Sequence, residues 1–330
     1  MTVIDVHTHM LSQAWFDLLK AKGAPRFEVR PSKDWPAPLG IYQDGAPFMT
    51  PQPGHFDYEL RIAKMDEAKV DLAVVSLTAP NVYWGDRATS LEAARLVNDS
   101  MAEAQRNWPD RIRWMCSLPW EYPEDAVAEL ERAHAAGAVG VIVLANVAGR
   151  SLTDPLFAPI WQAIDAKGLP VLVHPTAPPG VREMAMTQYN LVAQVGFMFD
   201  TTLAIARMIY DGFLDRYPNL KIIAAHAGGA LPFLVGRLDQ CWANMPAVRE
   251  RLTMPPSEAL RRIWYDAVVY RLDALEMCLD VAGEDRVLYG SDYPHNIHDM
   301  RGCLARVDSL PYAARRAVRG ANAARIFQLG

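Results

Sequence analysis

Eight short apolar runs recur along this chain, and stretches of helical character separate them. They fall at residues 3–6, 70–77, 111–117, 139–145, 170–174, 221–226, 262–267 and 286–290. Most are rich in Val, Ile and Leu with little polar alternation, the pattern of strands covered on both faces. Between them, 89–108 carries an apolar stripe through Leu91, Ala94, Val97 and Met101. The stretches 124–136 and 158–167 stop at Gly137 and Gly168, as helices do. Further helices are expected over 57–68, 202–217, 230–244 and 272–282, with two short ones in 313–329 broken near Gly320. Strands alternating with helices pair in parallel through right-handed crossovers. Eight strands close a barrel, so the expectation is an α/β chain folded as a (β/α)8 TIM barrel. An open doubly wound sheet fits less well, because no Gly-rich phosphate loop follows the first strand.

The 330 residues are read as one domain, 1–330, interrupted after strand 1 by an insertion over 11–55. That segment holds prolines at 25, 31, 36, 38, 47, 51 and 53, so irregular structure is expected there. It also holds Phe27, Trp35, Tyr42, Phe48 and Met49, which argues for a packed pocket wall.

Four of the runs end in metal-ligand residue types. The first ends in His7-Thr8-His9, the fifth in His174, the sixth in His226 and the eighth in Gly290-Ser291-Asp292. Alternate residues of a strand share a face, so His7 and His9 project together. In a closed barrel the C-terminal rim collects all four endings. Three imidazoles and a carboxylate suit Zn²⁺ and are compatible with Mn²⁺, Fe²⁺ or Co²⁺. His226, followed by Ala227-Gly228-Gly229, is either a ligand or an acid/base group, and Asp292 a ligand or a proton carrier. Strand 139–145 has no Lys or Glu at its end, so no bridging carboxylated lysine is available and one metal is expected. His55, His295 and His298 are weaker pocket candidates, and His134 reads as a solvated helix residue.

Bulk properties exclude other classes. A net charge of -5 gives no basis for binding nucleic acid or an anionic membrane, and no apolar run approaches a bilayer span. Cys116, Cys241, Cys278 and Cys303 are isolated, with no CxxC pair, and no secretory leader is evident. A reducing, cytoplasmic compartment is expected.

The same residues carry a family resemblance. His7-Thr8-His9, His174, His226 and Gly290-Ser291-Asp292 resemble the amidohydrolase superfamily. The stretches RIAKMD (61–66), TLAI (202–205), HAGGALPFLVGR (226–237) and GEDRVLYGSDYP (283–294) resemble its amidohydrolase-2 branch. Among its members, the similarity is greatest to the aminocarboxymuconate-semialdehyde decarboxylases. The resemblance implies that His7, His9, His174 and Asp292 hold one divalent metal, usually Zn²⁺, with Mn²⁺ also possible. It implies that His226 is the acid/base residue. It further implies that Arg237 reaches a substrate carboxylate in the neighbouring subunit of a homodimer. One feature departs from the family: its second substrate-binding arginine falls near Met49, and no Arg or Lys lies between Lys33 and Arg61. Arg30, Tyr42 or His55 are the available substitutes. With Trp84 after the second strand, the apolar content points to a substrate less charged than a dicarboxylate. The expected function is a metal-dependent, non-redox decarboxylase of an unsaturated or aromatic carboxylic acid. The alternative is a hydrolase of an ester, lactone or carbon–carbon bond on the same site.

Overall fold

The computed structural model describes residues 1–32 and 38–329. Lys33, Trp35 and Pro36 of the insertion lie outside the described residues. In chain order the strands are β1 (Ile4–His9), β2 (Phe27–Pro31), β3 (Leu39–Gln43), β4 (Ala46–Met49), β5 (Leu72–Ser76), β6 (Ile112–Ser117) and β7 (Gly140–Leu144). They continue as β8 (Asn146–Val147), β9 (Arg150–Ser151), β10 (Pro170–His174), β11 (Lys221–Ala224), β12 (Trp264–Asp266) and β13 (Val287–Leu288).

One parallel sheet runs in the order β1-β5-β6-β7-β10-β11-β12-β13. These are the eight runs expected from the sequence, each trimmed or shifted by a few residues at its ends. The sheet closes on itself through a seam rather than a full ladder. Val6 N donates to Tyr289 O at 3.0 Å, Asp292 N to His7 O at 2.8 Å and His9 N to Tyr293 O at 2.7 Å. The result is a (β/α)8 barrel. Val6, Val74, Met115, Ile142, Leu172, Ile223 and Leu288 pack together in one cluster with Ala323, Ile326 and Phe327 from the end of the chain. A strand buried on both faces needs apolar side chains inside and out, which explains the unbroken apolar runs.

Helices follow the strands as expected, at Tyr58–Ala68, Arg87–Asn107, Pro123–Ala135, Ala158–Lys167, Phe197–Tyr210, Leu231–Asn244 and Leu272–Ala282. Asp57 and Asp86 cap the first two by accepting from Leu60 N and Thr89 N. Gly168 ends the fourth in the left-handed region at φ 60°. The tail forms Met300–Asp308, Tyr312–Arg316 and Asn322–Ile326.

One expectation needs correction. The insertion is not irregular: it forms a helix over Gln13–Lys22 and an antiparallel meander of β2, β3 and β4. Asp44 and Gly45 both adopt positive φ (50° and 84°) between β3 and β4, the two-residue turn that matches strand twist. One helical stretch is long and apolar enough to cross a membrane by length and composition alone, although Gln188, Asn190, Gln194, Asp200 and Arg207 interrupt it. The helical stretch Gln188–Tyr210 has 23 residues and a mean hydropathy of 1.3 over its most apolar window, 44% of which is buried in the fold.

Candidate metal centre

The C-terminal ends of β1, β10 and β13 deliver four donors to one point. Single ligand atoms of His7, His9, His174 and Asp292 all lie within 4.8 Å of one another, and all four residues are buried. β1 does this with an irregularity. Its pairing with β5 shifts register between Asp5 and Thr8, so Val6 stays in the barrel cluster while His7 still joins His9. Asp292 reaches the site from a left-handed backbone at φ 59°. A side chain takes that conformation only where its surroundings enforce it.

The tautomers favour a cation. His174 Nδ1 donates to Pro175 O at 2.8 Å, and His7 Nδ1 faces Asp266 Oδ2 at 2.5 Å. The Nε2 atoms of both His7 and His174 are buried without a hydrogen-bond partner. Buried polar atoms are almost always satisfied, so two orphaned nitrogens facing one carboxylate fit a divalent metal.

The electrostatics agree. Burial pulls His7 down, but the Asp266 carboxylate outweighs it and pushes the imidazole up to about 10. Burial and the repulsion of His295 and His7 outweigh the pull of Asp292 and lower His9 to about 3. Burial, with His9 and His7 alongside, holds His174 well below the usual imidazole range. Burial alone would raise Asp292, but His295, His226, His7 and His9 hold it well below the usual carboxylate range.

His226 stands beside this group, with Nε2 3.7 Å from Asp292 Oδ2 and its ring 4.9 Å from that of His7. Both His226 and Ala227 are left-handed, at φ 54° and 53°. A cavity of about 1050 Å³ opens onto His174, His226 and Asp292, and the insertion walls it through Ile41, Tyr42, Phe48 and Met49. Met49 therefore faces the cavity where the resemblance would place an arginine. Of the possible substitutes, only Tyr42 lines the cavity. Arg30 is exposed and donates to Gly45 O at 2.9 Å, and His55 is buried with Nδ1 accepting from Gln52 N. His295 lines the cavity, held by Thr78 Oγ1 at 3.0 Å, whereas His298 and His134 are exposed. Trp84 is buried away from the cavity, donating to Asn81 O. Arg237 lies on the outer surface of helix Leu231–Asn244 and does not line the cavity.

Three buried residues at the centre escaped the sequence reading. Asp266 ends β12 and accepts from His7, from His226 N at 2.9 Å, from Ala227 N at 3.1 Å and from Val268 N at 3.0 Å. Its strand, Trp264-Tyr265-Asp266, ends in a carboxylate just as the other site strands end in ligand types. Asp5 accepts from Ser291 Oγ at 2.5 Å behind the ligand strand. Arg61, fully buried, donates to Thr8 Oγ1 at 2.6 Å and to His9 O, and its guanidinium sits 4.8 Å from the Tyr293 ring centre.

With this geometry described, comparison with known proteins is informative. A profile of the amidohydrolase family matches residues 4–329. The 2-amino-3-carboxymuconate-6-semialdehyde decarboxylase of Dictyostelium discoideum is 31% identical over 301 residues, 90% of this chain and 83% of that one. The 5-carboxyvanillate decarboxylase structure from Sphingomonas paucimobilis superposes with a TM-score of 0.87 at 29% identity, covering 100% of this chain and 99% of the other. The 5-carboxyvanillate decarboxylase of Novosphingobium aromaticivorans, complexed with manganese and 4-hydroxy-3-methoxy-5-nitrobenzoic acid, gives 0.83 at 25% identity, covering 99% and 96%.

Proposed function

This chain belongs to the amidohydrolase family, and from that premise we propose that it is a metal-dependent, non-redox decarboxylase of an aromatic carboxylic acid. The observation that carries the reading is the convergence of four buried donors, two with orphaned nitrogens, of which His174 and Asp292 line an open cavity. His7, His9, His174 and Asp292 would hold one divalent cation, and Asp292 would also steer protons. A cation bound there would supply Lewis acidity toward substrate oxygens and toward a bound water. The donor set accepts Zn²⁺ or Mn²⁺, and the manganese complex of the Novosphingobium relative supports Mn²⁺ as strongly.

The chain's own residues do the rest. Loss of CO₂ leaves an electron pair on the ring carbon, and that carbon must receive a proton. His226, with Nε2 3.7 Å from Asp292 Oδ2, would deliver it. The apolar meander, with Met49 and Phe48 on the cavity, excludes water and favours an aromatic ring. Met49 offers no partner to a second carboxylate, so a substrate with a single carboxylate fits best.

The active unit in this reading is a homodimer. Phe199 is 51% exposed, Leu203 43% and Phe233 78%, and they sit on the two helices next to Arg237. Exposed large apolar side chains of this kind support an interface there. Arg237 would cross it to a substrate carboxylate in the partner's cavity. A reducing cytoplasmic location suits the four free cysteines, three of them buried.

The test is a panel of hydroxylated benzoic acids and lactones, with CO₂ evolution and ring opening as readouts. CO₂ from a phenolic acid supports the reading, and lactone hydrolysis without CO₂ replaces it with hydrolase chemistry. His174→Ala should lower bound metal, whereas His226→Ala should retain the metal and abolish turnover. If His226→Ala empties the site, the roles are wrongly divided.

A further inference from the structure

Asp266 is fully buried, and every hydrogen bond it makes goes to a part of the centre or to its own loop. Oδ2 takes the His7 Nδ1 proton at 2.5 Å and the His226 backbone N–H at 2.9 Å. Oδ1 takes the Ala227 N–H at 3.1 Å and the Val268 N–H at 3.0 Å. His226 and Ala227 are consecutive non-glycine residues in the left-handed region, a conformation that costs energy unless something holds it. Two ionic hydrogen bonds from one carboxylate supply that hold. The same carboxylate fixes which nitrogen of His7 faces the cation.

We propose that Asp266 is a positioning residue that ties metal occupancy at His7 to the placement of the acid/base residue His226. This rests on the metal centre assigned above. A cation that captures His7 Nε2 orients the ring, the ring anchors Oδ2, and Oδ2 anchors the turn carrying His226. Loss of the cation frees the ring to move and loosens the His226–Ala227 turn. Asp266→Asn keeps the shape but replaces one oxygen with an N–H donor, which cannot accept from the backbone amides.

The decisive measurements use the metal alone. Mn²⁺ is titrated into wild-type and Asp266→Asn protein against a chelating dye, with circular dichroism as the check on folding. Affinity should fall by about 10- to 100-fold in the variant. In wild-type protein, amide exchange at His226 and Ala227 should slow on adding Mn²⁺ by more than at Ile222 and Ile223 of the preceding strand β11. In Asp266→Asn that extra protection should vanish, an effect a purely structural role would not produce. Unchanged affinity in the variant, or no metal-dependent protection at His226 in wild type, overturns the proposal. The exchange measurement needs no variant, so it decides the matter even if Asp266→Asn fails to fold. Wild-type protein that takes up no metal would instead overturn the centre itself.

Discussion

His7 sits between two carboxylates: Asp266 at Nδ1 and Asp292 Oδ1 3.4 Å from Nε2. Without metal it is pushed up to about 10 and is protonated at pH 7, while His9, lowered to about 3, is neutral. An arriving cation must take the place of the His7 proton. Metal uptake at pH 7 should therefore release about one proton, and affinity should rise with pH until His7 deprotonates unaided. Calorimetry in buffers of different ionisation enthalpy counts that proton, and no release would contradict the assignment. Behind the ligands, burial raises Asp5 to about 7, opposed by Ser291 and by Arg61. A carboxyl whose folded value is raised contributes stability at low pH that is lost as pH climbs through the folded value. Arg61→Met removes one of the two cations, with His7, that offset that charge and should cost about 3–5 kcal/mol in urea unfolding at pH 8. The loss should be smaller at pH 5, where Asp5 is protonated, and an equal loss at both values would be evidence against the pairing. At this scale the clustering of the candidate ligands was legible, because each histidine ended a run that was otherwise apolar. Arg61 was not legible, since a cation in a helix reads as solvated until the strand it pins is in place.

The meander of β2, β3 and β4 was the element least well read from sequence. Its strands are only four or five residues long, and prolines at 31, 38 and 47 interrupt or flank them, so no clean alternation survives. The Asp44-Gly45 pair was the usable signal, a two-residue turn between apolar stretches. What the composition did convey was packing, and Ile41, Tyr42, Phe48 and Met49 do line the cavity. Met49→Arg tests that wall directly. It should raise kcat/KM for a dicarboxylate relative to its monocarboxylate analogue by about tenfold, the worth of roughly 1.4 kcal/mol from one charge-assisted pair. An unchanged ratio would mean that Met49 does not face the bound acid. If the whole insertion, with its helix Gln13–Lys22, is a fixed wall, trypsin should cut the metal-loaded protein slowly at Lys20 and Lys22.

Taken whole, the barrel was legible because each strand identifies itself: eight apolar runs, regularly interrupted, leave few other topologies. The proposed homodimer rests on the family resemblance rather than on the pattern of residues, because an exposed Phe in a helix looks the same as a buried one in a string of letters. Phe233→Asp should split the proposed dimer in sedimentation and lower turnover with it. Arg237→Ala should raise KM sharply with fold and metal retained. Mixing it with inactive His226→Ala chains should restore partial activity in hybrids, since one site of each hybrid has both groups. A wild-type monomer at assay concentration would rule out this arrangement. The seam has a consequence for biosynthesis. His7 and His9 lie near the start of the chain and Asp292 near its end, and the bonds that bring them together are the bonds that shut the barrel. A ribosome exposes the histidine pair some 280 residues before it exposes the carboxylate. On the proposed assignment a nascent chain holds only part of the ligand set throughout translation, and tight metal capture would mark a barrel that has finished closing.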